Sequence, residues 1–249
     1  MLRLPLIVCL VFLPFLLWAQ SLKISNDQTH LVNENGAPFI WIGDTAWELF
    51  HKLNREDATD YLDNRAKKGF NIIQAVVLAE NQGLKTPNPY GEMPLKDLDP
   101  TQPNEAYFKH VDFIVDKAEE KGLIIGMLPT WGDKVASENP GAGPVVFDSA
   151  NAYTYGRFLG KRYKNKPIVW ILGGDRKVMN QDVKTIWDQM ARGIREGGNS
   201  AQLMTYHPRG TFNSATWFHD TEWLDFNMYQ KKKKKFNRVY EYAENNLMN

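Results

Sequence analysis

The sequence predicts an α/β protein built as an incomplete (β/α)8 barrel of the TIM type, with an N-terminal β-hairpin. Apolar runs alternate with stretches of helical periodicity, as in successive βα units around a parallel sheet. The runs are continuous, which is typical of parallel strands covered on both faces. Polar and aromatic residues follow the runs, and this favours a barrel, whose loops at the strands' carboxyl ends form the site.

The individual elements follow from turn, cap and apolar signals. Residues 22–43 contain the turn signal Asn35-Gly36 and form the hairpin, whose second arm leads into a first core strand. Asn54 is a good N-cap for the first helix, with Asp57 three residues later. Strands are predicted at residues 38–43, 71–78, 123–128, 168–172, 201–206 and 223–229. Helices are predicted at residues 54–69, 108–122, 153–163 and 183–194.

The alternative architecture is an open doubly wound sheet. The first core strand of that fold leads into a glycine-rich phosphate-binding turn, and residues 43–47 are not such a turn. The 249 residues are 43% hydrophobic and 24% charged, a globular composition. A net charge of +1 gives no electrostatic reason to expect nucleic acid or an anionic membrane as partner.

Residues 1–19 have the pattern of a signal peptide. Arg3 gives a positive start, the apolar run at 4–18 is short for a bilayer span, and Ala19 suits cleavage. We therefore expect export to the periplasm or the medium, with an uncleaved anchor as the alternative. The single cysteine, Cys9, lies in this segment, so the mature chain would have no thiol chemistry.

The end of the sequence changes character. A complete barrel has eight units in about 250 residues, and six strands are predicted here, within a domain at 20–230. Five consecutive lysines begin at Lys231, and the tail at 231–249 has no strand pattern. A solvated charged tail is one interpretation; the other is a truncated or frameshifted gene product, which the downstream DNA would test.

Carboxylates lie at or near the ends of five predicted strands. Such residues, gathered at one mouth, could bind sugar hydroxyls or act as the acid and nucleophile of glycosidic cleavage. The structural alternative is that each caps a helix or pairs with a nearby cation. The five are Asp44, Glu80, Asp133, Asp175 and Asp225.

Asp175 is the strongest catalytic candidate. It follows an apolar strand through Gly173-Gly174, which permit close backbone approach, and a position beside Trp170 would suit a general acid. A salt bridge to Arg176 or a helix-capping role is the alternative. The basic residues beside these carboxylates, Lys134 and Arg176, are candidate substrate-binding residues.

Aromatic residues and one histidine complete the candidate set. Trp47, Trp131 and Trp217 could stack on sugar faces, although core packing is the alternative for each. His207 could hydrogen-bond a substrate hydroxyl or be structural. The five histidines have no zinc-binding spacing, no Ser nucleophile elbow occurs, and no cofactor is expected.

Three segments resemble the apiosidase-like catalytic domain, which includes glycoside hydrolase family 140. They are residues 38–49 (PFIWIGDTAWEL), 64–71 (NRAKKGFN) and 169–176 (VWILGGDR). The resemblance extends over residues 22–230. It implies a (β/α)8 barrel, of bacterial and exported type, that hydrolyses pectic polysaccharide, with apiose side chains of rhamnogalacturonan II as the best-known target.

The resemblance also implies residue roles. The aspartate of the Gly-Gly-Asp-Arg motif matches Asp175 and would be the general acid/base. The partner glutamate would lie beyond residue 230, where no residue matches, so little activity is expected of this chain. An oligo- or polysaccharide is the expected partner; the other hypotheses are a non-catalytic carbohydrate-binding remnant and an inactive fragment.

Overall fold

The computed structural model describes residues 21–136, 143–198 and 201–231. The predicted signal peptide and the tail from residue 232 onward lie outside the described residues. In the part of the chain that is described, no helix is long and apolar enough to cross a membrane.

The fold is a curled parallel sheet, half of a barrel, beside a small antiparallel hairpin. The hairpin strands are Lys23–Ile24 (β1) and Leu31–Val32 (β2). The parallel strands lie in the order of the chain, each hydrogen-bonded to the next. They are Gly43–Thr45 (β3), Ile72–Leu78 (β4), Ile124–Thr130 (β5), Ile168–Gly173 (β6) and Met204–His207 (β7).

Helices connect the parallel strands and cover the outer face of the sheet. Asn54 accepts a hydrogen bond from the Asp57 N–H at 2.9 Å, so the predicted N-cap is confirmed. The helices are Leu49–Lys52 (α1), Arg55–Lys67 (α2), Glu105–Glu120 (α3), Ser149–Tyr163 (α4), Gln181–Gly197 (α5) and Ala215–Phe218 (α6), with a 3-10 turn at Gly132–Lys134.

Alternate residues of each strand pack on opposite faces. On β6, Trp170 and Leu172 pack among the helices, whereas Ile171 faces the inside of the curl with Val76 and Leu128. The hairpin covers the amino end of the inner face, where Leu22 packs with other buried apolar residues. Both faces of the central strands are therefore buried, as their continuous apolar runs predict.

The first parallel strand differs from its prediction. The apolar run at 38–43 is not the strand; β3 begins at Gly43, and Ile40 is 74% exposed. β3 is an edge strand, paired through Gly43, Asp44 and Thr45 with β4 alone. Because no described strand pairs with its other side, the apolar residues before it are not enclosed.

The predicted strand at 223–229 is also wrong. The segment runs beside β7, but mixed side-chain and backbone bonds hold it: Asp225 N–H donates to the Met204 carbonyl at 2.9 Å, and the Thr205 hydroxyl donates to the Phe226 carbonyl at 2.6 Å. The indole of Trp223 donates to Asp188 of α5 at 2.9 Å. These bonds fix an irregular path, with one isolated bridge, between Asn213 and Tyr229.

Helices α4 and α5 cross in direct backbone contact. A Cβ added to Gly156 or Gly160 of α4 would collide with α5 carbonyl oxygens, and one added to Gly193 or Gly197 would collide with carbonyl oxygens of α4. Each pair is four residues apart and so lies on one helix face. The glycines bring this helix pair together on the outer face of the sheet.

Candidate functional site

The turn after β6 places Asp175 at the carboxyl ends of the strands. Gly173 and Gly174 have φ values of +92° and +125°, a region that favours glycine. Asp175 itself has φ +52°. A Cβ on Gly174 would lie 2.8 Å from the backbone nitrogen of Gly132, so the ends of β5 and β6 approach closely here.

Asp175 faces His207, the last residue of β7. Asp175 Oδ1 lies 3.9 Å from His207 Nδ1, and neither atom has a hydrogen-bond partner among the described residues. The Asp175 side chain is 41% exposed although Oδ1 is buried, so the rest of the carboxyl is open to solvent. Trp170, the expected neighbour, lies on the helix face and donates to Gln202 at 3.0 Å. The expectation that Asp175 lies beside Trp170 was therefore wrong.

Glu80 and Arg176 lie near Asp175 at the carboxyl ends of the strands, a region here called the mouth. Arg176 Nη2 is 3.9 Å from Glu80 Oε1, and Nη1 donates to the Asp175 carbonyl at 3.3 Å. Burial raises the pKa of Glu80, and the negative charges of Asp133 and Asp175 add to the rise, against the opposing effect of Arg176. Arg176 Nε is buried without a hydrogen-bond partner among the described residues. The mouth thus combines the half-buried carboxylate of Glu80 with an N–H donor of Arg176 that has no hydrogen-bond partner among the described residues.

Asp133 and Lys134 are not surface groups, contrary to the expectation that they bind substrate. Their side chains are 2% and 0% exposed and form an ion pair of 2.8 Å. Lys134 Nζ also donates to the Ala79 carbonyl at 2.7 Å, and Asp133 accepts from the Gly143 N–H at 3.1 Å. Burial lowers the pKa of Lys134, although Asp133 opposes the shift. The pair ties the loops after β4 and β5 together beneath the mouth.

The tryptophans divide between the cleft and the core. Trp47 and Trp131 both contact the His207 ring, with centroids 5.5 and 5.6 Å away. Trp47 lines the open cleft, whereas Trp131 is 2% exposed and packs with inner-face residues. Trp217 packs against Phe212, with centroids 5.0 Å apart. Trp47 is therefore placed to stack on a ligand, and Trp131 supports His207 from the core.

Two predicted carboxylates lie away from the mouth. Asp44 contacts Arg65 and accepts the Tyr61 hydroxyl at 2.9 Å, both on α2, so it faces the helices and not the cleft. Asp225 pairs with Arg195 at 2.6 Å and accepts from the Met204 N–H. Met204 begins β7, so Asp225 lies near that strand's amino end. Neither therefore lies at the carboxyl end of a strand, where it was predicted to lie.

A cleft of about 460 Å³ lies on the inner side of the curled sheet, between β3 and the segment after Phe226. His207 and Trp47 line one part of it. The remaining lining residues were not predicted; Gln74 could have been recognised as the one polar residue in an apolar strand. They are Leu31, Trp41, Thr45, Gln74, Phe226, Asn227, Met228, Tyr229 and Gln230.

A second cavity of about 290 Å³ lies near the amino ends of the strands, lined in part by residues 164–169 and 201–203. It is far along the strands from Asp175 and contains none of the predicted site residues. Among the residues that the structure describes, no three His, Cys, Asp or Glu side chains group as a metal site requires.

The half-barrel with polar residues at the strands' carboxyl ends defines the class: an incomplete (β/α)8 barrel of the TIM type. A family 5 mannosidase from Rhizomucor miehei has this fold, with a TM-score of 0.55 at 16% identity over 76% of this chain and 56% of that chain. At that identity the likeness concerns the fold alone.

The chain belongs to the apiosidase-like catalytic domain family, which it matches over residues 25–249. It is similar to a glycoside hydrolase family 5 protein from Bacteroides vulgatus ATCC 8482, with 36% identity and a TM-score of 0.73 over 84% of this chain and 44% of that chain. A second structure, a glycoside hydrolase, has the same identity and TM-score over 84% and 46%. The chain thus spans less than half the length of these two proteins. No curated protein matches it.

Proposed function

We propose that the chain is a glycoside hydrolase domain for plant cell-wall pectic polysaccharide, with apiose-containing side chains of rhamnogalacturonan II as substrate. The observation that carries the proposal is Asp175, a half-exposed carboxyl at the carboxyl end of β6, in a chain of the apiosidase-like family. Such a substrate lies outside the cell, which agrees with the export signal proposed for residues 1–19.

Asp175 is the general acid in this proposal. It protonates the glycosidic oxygen as the bond to the anomeric carbon breaks, and a second carboxylate attacks that carbon to form a glycosyl-enzyme. Asp175 then accepts a proton from the water that hydrolyses this intermediate. In a retaining enzyme the two carboxyl groups lie ~5–5.5 Å apart. The family's glutamate nucleophile is expected beyond residue 230, and no residue of this sequence is matched to it.

Other residues of the mouth would bind the sugar. Glu80 and Arg176 offer an acceptor and donors for hydroxyl groups, and burial raises the pKa of Glu80 above its ordinary value. Trp47 offers an aromatic face at the edge of the cleft. These contacts would hold the glycosidic oxygen near the Asp175 carboxyl.

Hydrolysis of apiose-containing pectic oligosaccharides by the full-length parent, followed by product chromatography, tests the proposal. Asp175→Asn should lower kcat about 10²–10⁴-fold, the usual contribution of a general acid or base. The matched control is Asp44→Asn, which alters a carboxylate of β3 that faces α2; it should keep kcat. An Asp175→Asn enzyme as active as the wild type would refute the assignment.

Carbohydrate binding without hydrolysis is the second candidate function. It is favoured by the aromatic and amide lining of the cleft, which includes Trp41, Trp47, Gln74, Asn227 and Tyr229. Saturable quenching of tryptophan fluorescence by the same oligosaccharides, with no product after long incubation, would select it over the hydrolase.

A further inference from the structure

The turn that carries Asp175 is built on His207. Gly173 pairs with His207 in the β6–β7 register, and the Gly174 N–H donates to the His207 carbonyl at 3.0 Å. A Cβ on Gly173 would lie 2.5 Å from that carbonyl oxygen. The backbone position of Asp175 is therefore fixed relative to His207 before either side chain is considered.

The side chains of Asp175 and His207 face each other but are too far apart for a hydrogen bond. The 3.9 Å between Asp175 Oδ1 and His207 Nδ1 exceeds a hydrogen bond by about 1 Å. Both atoms are buried and have no hydrogen-bond partner among the described residues. Rotation of the half-exposed carboxyl can close the gap, because the imidazole is the fixed member of the pair.

The imidazole is held by two indoles. Trp47 meets it edge-on, at 87°, and Trp131 lies at 45° on another side. His207 is 7% exposed. Burial lowers its pKa, and the charge of Asp175 partly offsets the shift, so the ring is neutral at neutral pH and carries one N–H.

Other charges at the mouth have partners of their own. Arg176 donates to the Asp175 carbonyl and faces Glu80, while Lys134 and Asp133 form their buried pair. Among the described residues, Asp175 is the one charged group whose charge shifts the pKa of the His207 ring.

We propose that His207 is a positioning residue for Asp175: its neutral ring donates Nδ1–H to Oδ1 and so turns Oδ2 toward the glycosidic oxygen. The proposal rests on the proposed function, in which Asp175 is the general acid. It gives the ring a role different from direct contact with a substrate hydroxyl. The hydrogen bond fixes which oxygen carries the catalytic proton.

Imidazole NMR of the full chain tests this contact without any need for activity. Nitrogen-15 shifts of His207 should report the Nδ1–H tautomer, and its pKa should fall in Asp175→Asn because the carboxylate charge that raises it is gone. His110 is the internal control: it is also buried, its pKa is also lowered mainly by burial, and its Nε2 lies 3.0 Å from the Leu53 carbonyl. A purely Nε2–H tautomer, or an unchanged His207 pKa in Asp175→Asn, would overturn the proposal.

A pair of variants adds a functional measurement. His207→Asn keeps an N–H donor near the Nδ1 position, whereas His207→Leu does not. For apiose-containing oligosaccharides, kcat should fall more in His207→Leu than in His207→Asn, with KM similar in both. Equal loss of kcat would contradict a positioning role. These kinetic measurements use the full-length parent, which carries both catalytic carboxylates. If that protein gives no product, the proposed function fails, while the NMR result still decides the contact between His207 and Asp175.

Discussion

Asp44 lies in the first strand of the parallel sheet and Asp175 lies just after the fourth, yet their surroundings are opposite. Asp44 is occupied by Arg65 and the Tyr61 hydroxyl of α2. Asp175 has a buried oxygen without a hydrogen-bond partner in the described chain and faces a histidine 3.9 Å away. One carboxylate attaches a strand to a helix, and the other is left open at the mouth.

The difference comes from position along each strand. Asp44 lies within β3, where side chains alternate between faces, so its neighbour Thr45 lines the cleft while Asp44 points to α2. Asp175 lies two residues beyond the end of β6, in a turn with positive φ. A carboxylate near a strand end is therefore a good functional candidate only when it lies in the turn beyond the strand, where its side chain no longer has to point to one face or the other of the sheet.

The largest expected effect concerns Asp133, a third carboxylate, which is both buried and paired. Lys134→Met removes its cation and leaves an uncompensated buried charge. We expect a loss of about 3–5 kcal/mol in the free energy of unfolding, measured by urea denaturation. Asp133→Asn combined with Lys134→Met is the matched control and should recover much of the loss. An unaffected single variant would mean that the buried ion pair does not hold the two loops together.

A smaller effect is expected at Trp47. Trp47→Ala removes an aromatic face from the cleft and should weaken oligosaccharide binding by about 0.5–1.5 kcal/mol, measured by calorimetry. Trp217→Phe is the control, since Trp217 packs on Phe212 and is not among the cleft-lining residues. Undiminished affinity in Trp47→Ala would show that the oligosaccharide does not bind in the cleft that Trp47 lines.

The smallest effect is expected at Asp44. Burial raises the pKa of Asp44, but hydrogen bonds from Arg65 and Tyr61 outweigh it, and the net pKa is lowered. Because the folded pKa is below the unfolded value of about 3.9, the ion pair stabilises the fold above that pH and its contribution is lost as pH falls through the folded pKa. The pair is partly exposed and screened, so Asp44→Asn should cost about 1 kcal/mol or less at pH 7.

The pH dependence is the sharper part of this prediction. Thermal melts of the wild type and Asp44→Asn should differ at pH 7 and converge as the pH falls below 4. A difference that persists or grows in acid would show that the asparagine disturbs packing and that charge is not the cause.

Sequence patterns located the central strands well and the flanking ones poorly. β4, β5 and β6 are buried on both faces, so their apolar runs coincide with the strands. Before the edge strand β3, the apolar residues do not pair with a neighbouring strand, and Ile40 is exposed. The apolar run therefore does not mark the strand there. At 223–229 the apolar content suggested a strand, but Trp223 and Asp225 bind α5 and fix another path. Such partners are distant in sequence and leave no local signal.

Several of the candidate site residues lie together in the structure, while their roles stay predictions. Asp175, Arg176, Glu80, Trp47 and His207 do meet at the carboxyl ends of the strands. The burial of Lys134 could not be foreseen, because its main partners are the adjacent Asp133 and a carbonyl more than fifty residues earlier. A lysine in a loop ordinarily points to solvent, and only the packing of two loops reveals the exception.

Helices α4 and α5 cross in contact at four glycines, and this contact affects how substitutions in this domain should be interpreted. At Gly156, Gly160, Gly193 and Gly197 even an added methyl group would strike a backbone carbonyl. A survey of homologues or a saturation mutagenesis screen would therefore record these four positions as intolerant, alongside Asp175. Their intolerance would report steric exclusion between two helices, and only an assay that separates folded yield from turnover would distinguish it from chemistry.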